Sequence, residues 1–415
     1  MRISLQSRTR KISFAIFCLA TTAFYLNRAT RAYIAYHVST RMGISQLERA
    51  VALDPENAEY QARLGNNMML TAQDPWAAIS HYRQAVALNP HIARYWLNLA
   101  SAFQVTGAQE EQRKALQRAI NADPTTPDVA WEAANFFVVR GEREAALREF
   151  RAVMQTDDYS DIALGLCWRA TGDPDAIEKI LPPDPAKHLA FVKLLLEQKE
   201  SAAAEKIWHH LVALGQPFDP KQALFYVNHW MLEHDVQRAQ ESWRELASVD
   251  TSLRRSLSDP DNLVVNSGFE DEMLNGGFDW QYVSIPSVSV SLDSTEFHGG
   301  NRSLSFAFEG GAVADAGFQQ LIPVDPSTSY DFSAYAKTEE IDTANGPRFA
   351  LSDAYAGTSL LVTDELVGTN VWRQIKGTFK TGPGTKLAAL KIIRTPGETR
   401  VKGKLWIDDV TLSRK

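Results

Sequence analysis

The chain reads as a multidomain α plus β protein: an N-terminal signal-anchor helix, a helical-repeat solenoid and a C-terminal antiparallel β-sandwich of jelly-roll type. Three observations predict this. An uncharged apolar run, Ile12 to Leu26, follows a basic N-terminus. The pairs Asp54-Pro55, Asn89-Pro90 and Asp123-Pro124 recur at steps of about 34 residues, a period typical of helical-hairpin repeats. Beyond residue 261, helical periodicity gives way to short alternating stretches punctuated by Gly, Pro and Asn.

The first segment, 1–27, carries Arg2, Arg8, Arg10 and Lys11 and no acid ahead of the apolar run. This charge bias orients the N-terminus to the cytoplasm and the rest of the chain outside it. The uncharged run covers only ~22 Å at ~1.5 Å per residue, short of a ~30 Å hydrocarbon core. It is either a short anchor with Arg28 snorkelling or a cleaved signal peptide with Thr21 and Ala23 flanking the cleavage site. The helical pattern runs on through Tyr33, Ile34 and Tyr36 without a Pro or Gly break, which favours the uncleaved anchor. Phe17 precedes Cys18 where a lipoprotein signal needs a small residue. The expected location is the bacterial inner membrane, single-pass with N-in and C-out topology and extracytoplasmic domains, or secretion if the segment is cleaved.

Residues 28–250 form the repeat domain. In its clearest copy Trp96, Leu99, Ala100 and Phe103 sit three and four apart, Gly107 breaks the run, and Leu116, Ala119 and Ile120 resume it. Matching copies place Leu64, Gly65, Met68, Ala78, Tyr82 and Ala85 before it, and Ala133, Ala134, Phe137, Gly141, Ala146, Phe150 and Val153 after it. One hairpin cannot bury its own apolar stripe, so neighbours must stack. The clear copies cover 44–158, with Asp158 standing where the proline would be. Residues 163–170, 188–198, 202–214, 222–234 and 236–247 keep a helical period, with Trp208, Trp230 and Trp243 as core candidates.

These spacings resemble tetratricopeptide-repeat proteins, which implies a concave face, lined by the first helix of each repeat, that receives a protein partner. Asn66, Asn98 and Asn135 are the candidate partner-binding residues there. Ala62, Asp128 and Glu132 stand where cations that grip a peptide carboxylate belong, so a carboxylate clamp is not expected.

A polar linker is expected at 251–261 and the sandwich at 262–415. Strands are expected at 287–292, 329–337, 372–381, 387–394 and 404–412. NLVVNSGFE at 262–270, Trp280, HGGNRSL at 298–304, Gln320, SYDFSAYAK at 329–337, WRQIKGTF at 372–379 and WIDDVTL at 406–412 resemble the blocks of carbohydrate-binding modules, of the calcium-containing jelly-roll type appended to xylanases and cellulases. The resemblance implies a structural Ca²⁺ held by the Gly268 carbonyl, Glu270, Glu296, the Gly299 carbonyl and Asp408 or Asp409, an oxygen set suited to that ion.

Sugar recognition needs aromatic faces for pyranose rings and planar polar groups for hydroxyls. Trp280, Tyr282, Tyr335, Tyr355 and Trp372 are the candidate faces, and Gln320, Arg348 and Asp353 the candidate hydrogen-bonding groups. Alternation puts Tyr330, Phe332 and Ala334 on one side of their strand and Asp331, Ser333, Tyr335 and Lys337 on the other, so Tyr335 is expected to point outward.

Several functions are disfavoured. The chain has 415 residues, 45% hydrophobic and 22% charged, with net charge −7 and pI about 5.8, a balance without the basic excess of a nucleic-acid binder. Cys18 and Cys167 are its two cysteines, in contexts that offer neither a disulfide framework nor a cysteine-rich zinc site. His229, Glu233 and His234 nearly spell a zinc motif, but histidines five apart lie about 140° apart around a helix, so they do not share one ion. No nucleophile-elbow, P-loop or dinucleotide fingerprint is present. The expectation is a non-catalytic envelope scaffold that binds a protein through its repeats and a polysaccharide through its sandwich, in exopolysaccharide export or cell-surface assembly. The alternatives are a glycan hydrolase or lyase built on the jelly roll, and a structural spacer.

Overall fold

The structure, a computed structural model, describes residues 7–41, 43–156, 160–257 and 261–415. Arg2, Asp158 and linker positions 258–260 lie outside the described residues. Two compact units result, Met1–Pro182 and Pro183–Lys415.

The first unit contains α1 (Arg8–Ser39), α2 (Ile44–Leu53), α3 (Ala58–Leu70), α4 (Pro75–Leu88), α5 (Ala93–Val105), α6 (Gln109–Ala122), α7 (Pro127–Val139), α8 (Arg143–Met154), α9 (Ser160–Thr171) and α10 (Pro174–Glu178). Helix α1 is continuous through Tyr33–Tyr36, as its unbroken pattern predicts. Among the described residues it is one helix long and apolar enough to cross a membrane, and none of its apolar window is buried. Its C-terminal end behaves differently. Ala35 is buried with Ala50 and Tyr60, and Arg31 donates to the Ala52 carbonyl at 3.1 Å. That end of α1 therefore pairs with α2 as the first helix of a hairpin.

The next three hairpins are α3/α4, α5/α6 and α7/α8. The recurring X-Pro pairs end the second helices for a steric reason. Asp54, Asn89 and Asp123 are the C-caps of α2, α4 and α6, with φ of −138°, −141° and −150°, because a residue before proline is driven out of the helical region. Asn57 starts α3 by accepting from the Glu59 and Tyr60 amides, and Asp74 caps α4 with Pro75 in the first turn. Gly65 lets α3 approach α4, since a Cβ there would meet Tyr82 Cε1 at 2.6 Å.

The second unit begins with α11 (Pro185–Glu197), α12 (Ser201–Ala213), α13 (Leu224–Leu232), α14 (Val236–Val249) and α15 (Thr251–Ser256). Trp208, Trp230 and Trp243 are buried, as expected of core residues. The first half of the expected linker is helical, because Asp250 caps α15 by accepting from the Leu253 amide at 2.7 Å. Compactness therefore divides the chain at Pro182/Pro183, inside the helical stretch, and α11–α15 share a unit with the sandwich. Their contacts are specific. The Gly277 amide donates to Asn228 Oδ1 at 3.0 Å, Tyr355 donates its hydroxyl to the Met231 carbonyl at 2.8 Å, and the Trp243 ring meets Phe278 edge-on.

The sandwich contains β1 (Gln281–Tyr282), β2 (Val288–Asp293), β3 (Ser303–Ala312), β4 (Asp315–Pro323), β5 (Ser329–Asp342), β6 (Arg348–Asp353), β7 (Ser359–Val362), β8 (Gly368–Lys380), β9 (Leu387–Ile393) and β10 (Arg400–Arg414). All five expected strands form. They lie in two antiparallel sheets, β1-β4-β9-β6-β7 and β2-β3-β10-β5-β8. Tyr330, Phe332, Ala334 and Ala336 of β5 and Leu405 and Ile407 of β10 point into the core between the sheets.

Candidate functional site

The central strand β10 carries the WIDDV block and brings two candidate sites side by side. Between Asp408 and Thr411 its pairing with β5 shifts register, and Asp409 adopts φ +47°, the mark of a bulge. The bulge sends the two adjacent carboxylates to different partners. Asp408 is fully buried. Its Oδ2 accepts from the His298 and Gly299 amides at 2.8 and 3.0 Å, and its Oδ1 from the Asp409 amide at 2.8 Å. Asp409 Oδ2 lies 2.6 Å from His298 Nδ1.

Glu270 closes the same loop from the other side, accepting from the Asn301 and Arg302 amides at 2.8 and 3.1 Å. Gly268 sits between these groups, where a Cβ would lie 3.8 Å from both Asp408 Oδ1 and Asp409 Oδ1. At Gly299 a Cβ would stand 2.7 Å from Asp409 Oδ2. Of the candidate cation ligands, Gly268, Glu270, Gly299 and both Asp408 and Asp409 thus lie close together. Glu296 is turned elsewhere, its carboxylate engaging Lys337 Nζ at 2.5 Å. Burial, with Asp409 nearby, pushes the Asp408 carboxyl above its usual range despite the three amides. Among the described residues no three His, Cys, Asp or Glu side chains converge as a ready metal cluster, so an ion here would depend on backbone carbonyls as well.

Next to this cluster lies an aromatic face. Tyr335 is the register partner of Asp408 on β5 and, as alternation predicts, stands outside the core. Its ring stacks on His298 at 3.5 Å between centroids, and Trp372 approaches the same imidazole edge-on at 5.9 Å. Gln374 pairs with Tyr335 across the sheet and is exposed. His298 joins the acidic loop to the aromatic face. Its HGGN string was legible, but no sequence rule singles out its imidazole.

The remaining candidates separate from this face, and several are corrected. Trp280 is 1% exposed, stacked between Phe269 and Phe318, with its indole N–H given to the Asn266 carbonyl; it is core and offers no face to a sugar. Gln320 is fully buried, its amide clasping the Val265 amide and carbonyl. Asp353 is 7% exposed and caps the turn after β6. Burial raises its carboxyl, but the Ala356 and Tyr355 amides and Thr385 outweigh this and hold it below the usual range. Arg348 is paired with Glu365 at 3.0 Å. Tyr355 spends its hydroxyl on Met231 and its ring on His234. Tyr282 remains exposed, on the edge strand of the other sheet. A cleft of about 1070 Å³, bordered by His234, Gln237, Asp325 and Lys386, contains none of these candidates.

On the repeats, Asn66 and Asn98 are joined to each other at 3.0 Å, and Tyr82 also donates to Asn66 Oδ1. Asn135 donates to the Trp131 carbonyl of its own helix. Asp128 is neutralised by Arg94. Of the near-zinc motif, His234 lies beyond the end of α13 with φ +62° and His229 Nε2 is buried, so the pair is not a metal site.

Residues 261–397 match the sequence family described as "Carbohydrate binding domain". The matched stretch is the sandwich, up to the turn after β9. Solved structures similar to parts of the chain include a CBM4 structure, 13% identical, covering 37% of this chain and 99% of that one with a TM-score of 0.29. The CBM22-1 xylan-binding domain of Paenibacillus barcinonensis Xyn10C is 16% identical, covering 36% and 91%, TM-score 0.26. A tetratricopeptide repeat protein from Parabacteroides merdae is 12% identical, covering 55% and 97%, TM-score 0.31. No curated protein matches the sequence. The chain joins helical hairpins of tetratricopeptide type to a jelly roll that matches the carbohydrate-binding family model.

Proposed function

We propose that this protein is a non-catalytic envelope scaffold, anchored by α1 with its N-terminus in the cytoplasm, that presents its repeats to a protein partner and its sandwich to a polysaccharide. The family match of residues 261–397 carries the reading. The glycan surface is the outer face of β5 and β8. There Tyr335 and Trp372 supply ring faces, and Gln374 and Lys337 supply hydrogen-bond donors. The test is a glycan-array and affinity-electrophoresis screen of the full chain in detergent. Tyr335→Ala and Trp372→Ala should each weaken retention by a polysaccharide at least tenfold, with unchanged melting. Undiminished binding by both variants would move the site off this face.

In the same reading, Gly268, Glu270, Gly299, Asp408 and Asp409 hold a hard cation such as Ca²⁺. The supporting observation is the chemistry of the set: three carboxylates around Gly268 and Gly299, with Gly299 so close that a Cβ there would stand 2.7 Å from Asp409 Oδ2. An ion that binds only the folded form stabilises it by ~2.7 kcal/mol at a hundred times its dissociation constant. Thermal unfolding with calcium and with chelator should differ by several degrees in the wild type and coincide in Glu270→Ala. Coincident wild-type curves would remove calcium from the proposal.

A further inference from the structure

The depth of α1 in a bilayer fixes where the first repeats stand, because the helix continues past the apolar run. That run ends at Leu26, and α1 extends without a break to Ser39 as the first helix of the solenoid. Arg28 pairs with Glu56 and Arg31 donates to the Ala52 carbonyl at 3.1 Å, so the loop between α2 and α3 lies level with the two arginines just beyond the run. At the far end of α1, Arg63 of α3 donates to the Ser39 carbonyl at 2.8 Å. Helix α3 therefore runs alongside α1 in the same direction.

The next loop shares that edge. Tyr95, at the start of α5, donates its hydroxyl to Glu59, at the start of α3, at 3.0 Å, which sets residues 89–92 beside 54–57. Leu88, Pro90 and Ile92 are exposed there, and Trp96 lies half-buried one turn on, its indole N–H spent on the Pro90 carbonyl at 2.8 Å. Exposure alone does not single out this patch, since Leu70, Val105 and Val139, at the other ends of the hairpins, are more exposed still. What separates the two edges is α1, which brings one to the bilayer and holds the other away from it.

We propose that the loop between α4 and α5, with Leu88, Pro90, Ile92 and Trp96, rests in the headgroup region of the membrane that α1 crosses, so that this edge of the repeats is held against the lipid surface. The inference rests on the reading of α1 as an uncleaved anchor. The apolar run covers ~22 Å of a ~30 Å hydrocarbon core, which draws Arg28 and Arg31 to the headgroup level. Tyr25 and Tyr33, both exposed, flank that level as interfacial aromatics do. Along the same edge Arg28 pairs with Glu56 and Arg94 with Asp128, which lowers the cost of bringing these charges to lipid. A patch this small binds lipid weakly by itself, but the covalent anchor makes its contact intramolecular.

The test is the full chain in nanodiscs of phosphatidylethanolamine and phosphatidylglycerol, carrying one nitroxide label. Electron paramagnetic resonance then compares its collisions with oxygen, which concentrates in lipid, and with a water-soluble nickel chelate. Cys167 is buried and escapes labelling, so the label sits on native Cys18 or, with Cys18→Ser, at Leu88→Cys, Ile92→Cys or Val105→Cys. Oxygen should dominate at position 18, and the oxygen-to-nickel ratio at 88 and 92 should stand several-fold above that at 105. Equal ratios at 92 and 105 with position 18 in lipid would overturn the surface contact and leave the anchor standing. Free access of nickel to position 18 would overturn both. Shielding of position 92 from both agents would put a protein there in place of lipid, and would also overturn the assignment.

Discussion

Gly277→Ala is expected to loosen α13 and α14 from the sandwich. Gly277 holds φ +61°, a left-handed conformation that costs an alanine roughly 1 kcal/mol. A Cβ at this position would also lie 2.4 Å from Trp243 Cζ3. Trp243 is 3% exposed and packed edge-on against Phe278, so its rigid ring must shift as a whole to make room. Overpacking of that kind costs typically ~1–3 kcal/mol more, and any shift of the loop also stretches the bond from the Gly277 amide to Asn228. The expected result is a total loss of roughly 2–4 kcal/mol. It should be concentrated at the junction: faster amide exchange over 224–249, with the β5 and β10 amides still protected. Uniform protection equal to the wild type would show that the helices do not depend on this contact.

The repeats were legible because their punctuation is local. An Asp or Asn before proline ends a helix whatever lies around it, and Gly65, Ala100 and Ala119 mark close approaches by size alone. The partner of α13 and α14 was not legible. A helical period reveals which stripe is buried and not whether another helix or a β-sandwich covers it, so Trp243 reads alike in either case. The same limit governs the site. Aromatic and amide side chains that suit sugars also build cores, and Trp280 and Gln320 took the second role. For Gln320 the parity was present in the chain, since Ala316, Phe318, Gln320 and Ile322 alternate along β4 and are all buried. Tyr335 was placed correctly by that same parity argument. The division of roles between Asp408 and Asp409 depends on a bulge, which adjacent identical residues cannot reveal.

Trp280→Ala is expected to destabilise the sandwich strongly rather than merely weaken sugar binding. The indole is sandwiched between Phe269 at 5.2 Å and Phe318 at 4.8 Å, both fully buried or nearly so. Truncation leaves a cavity among rings that cannot close it and removes the donor to the Asn266 carbonyl. Large-to-alanine changes of this kind cost ~3–5 kcal/mol, a fall on the order of 10 °C in the midpoint of a unit this size. The damage should reach the neighbouring acidic loop, because Asn266 also brackets the Asp271 backbone just beyond Glu270. Tyr282→Ala supplies the contrast: that ring is 42% exposed, and its loss should leave the midpoint within about 1 °C, as for other surface changes. Both variants are compared by calorimetry and polysaccharide retention. A Trp280→Ala protein that melts like the wild type and loses only retention would place the indole against the ligand and out of the core.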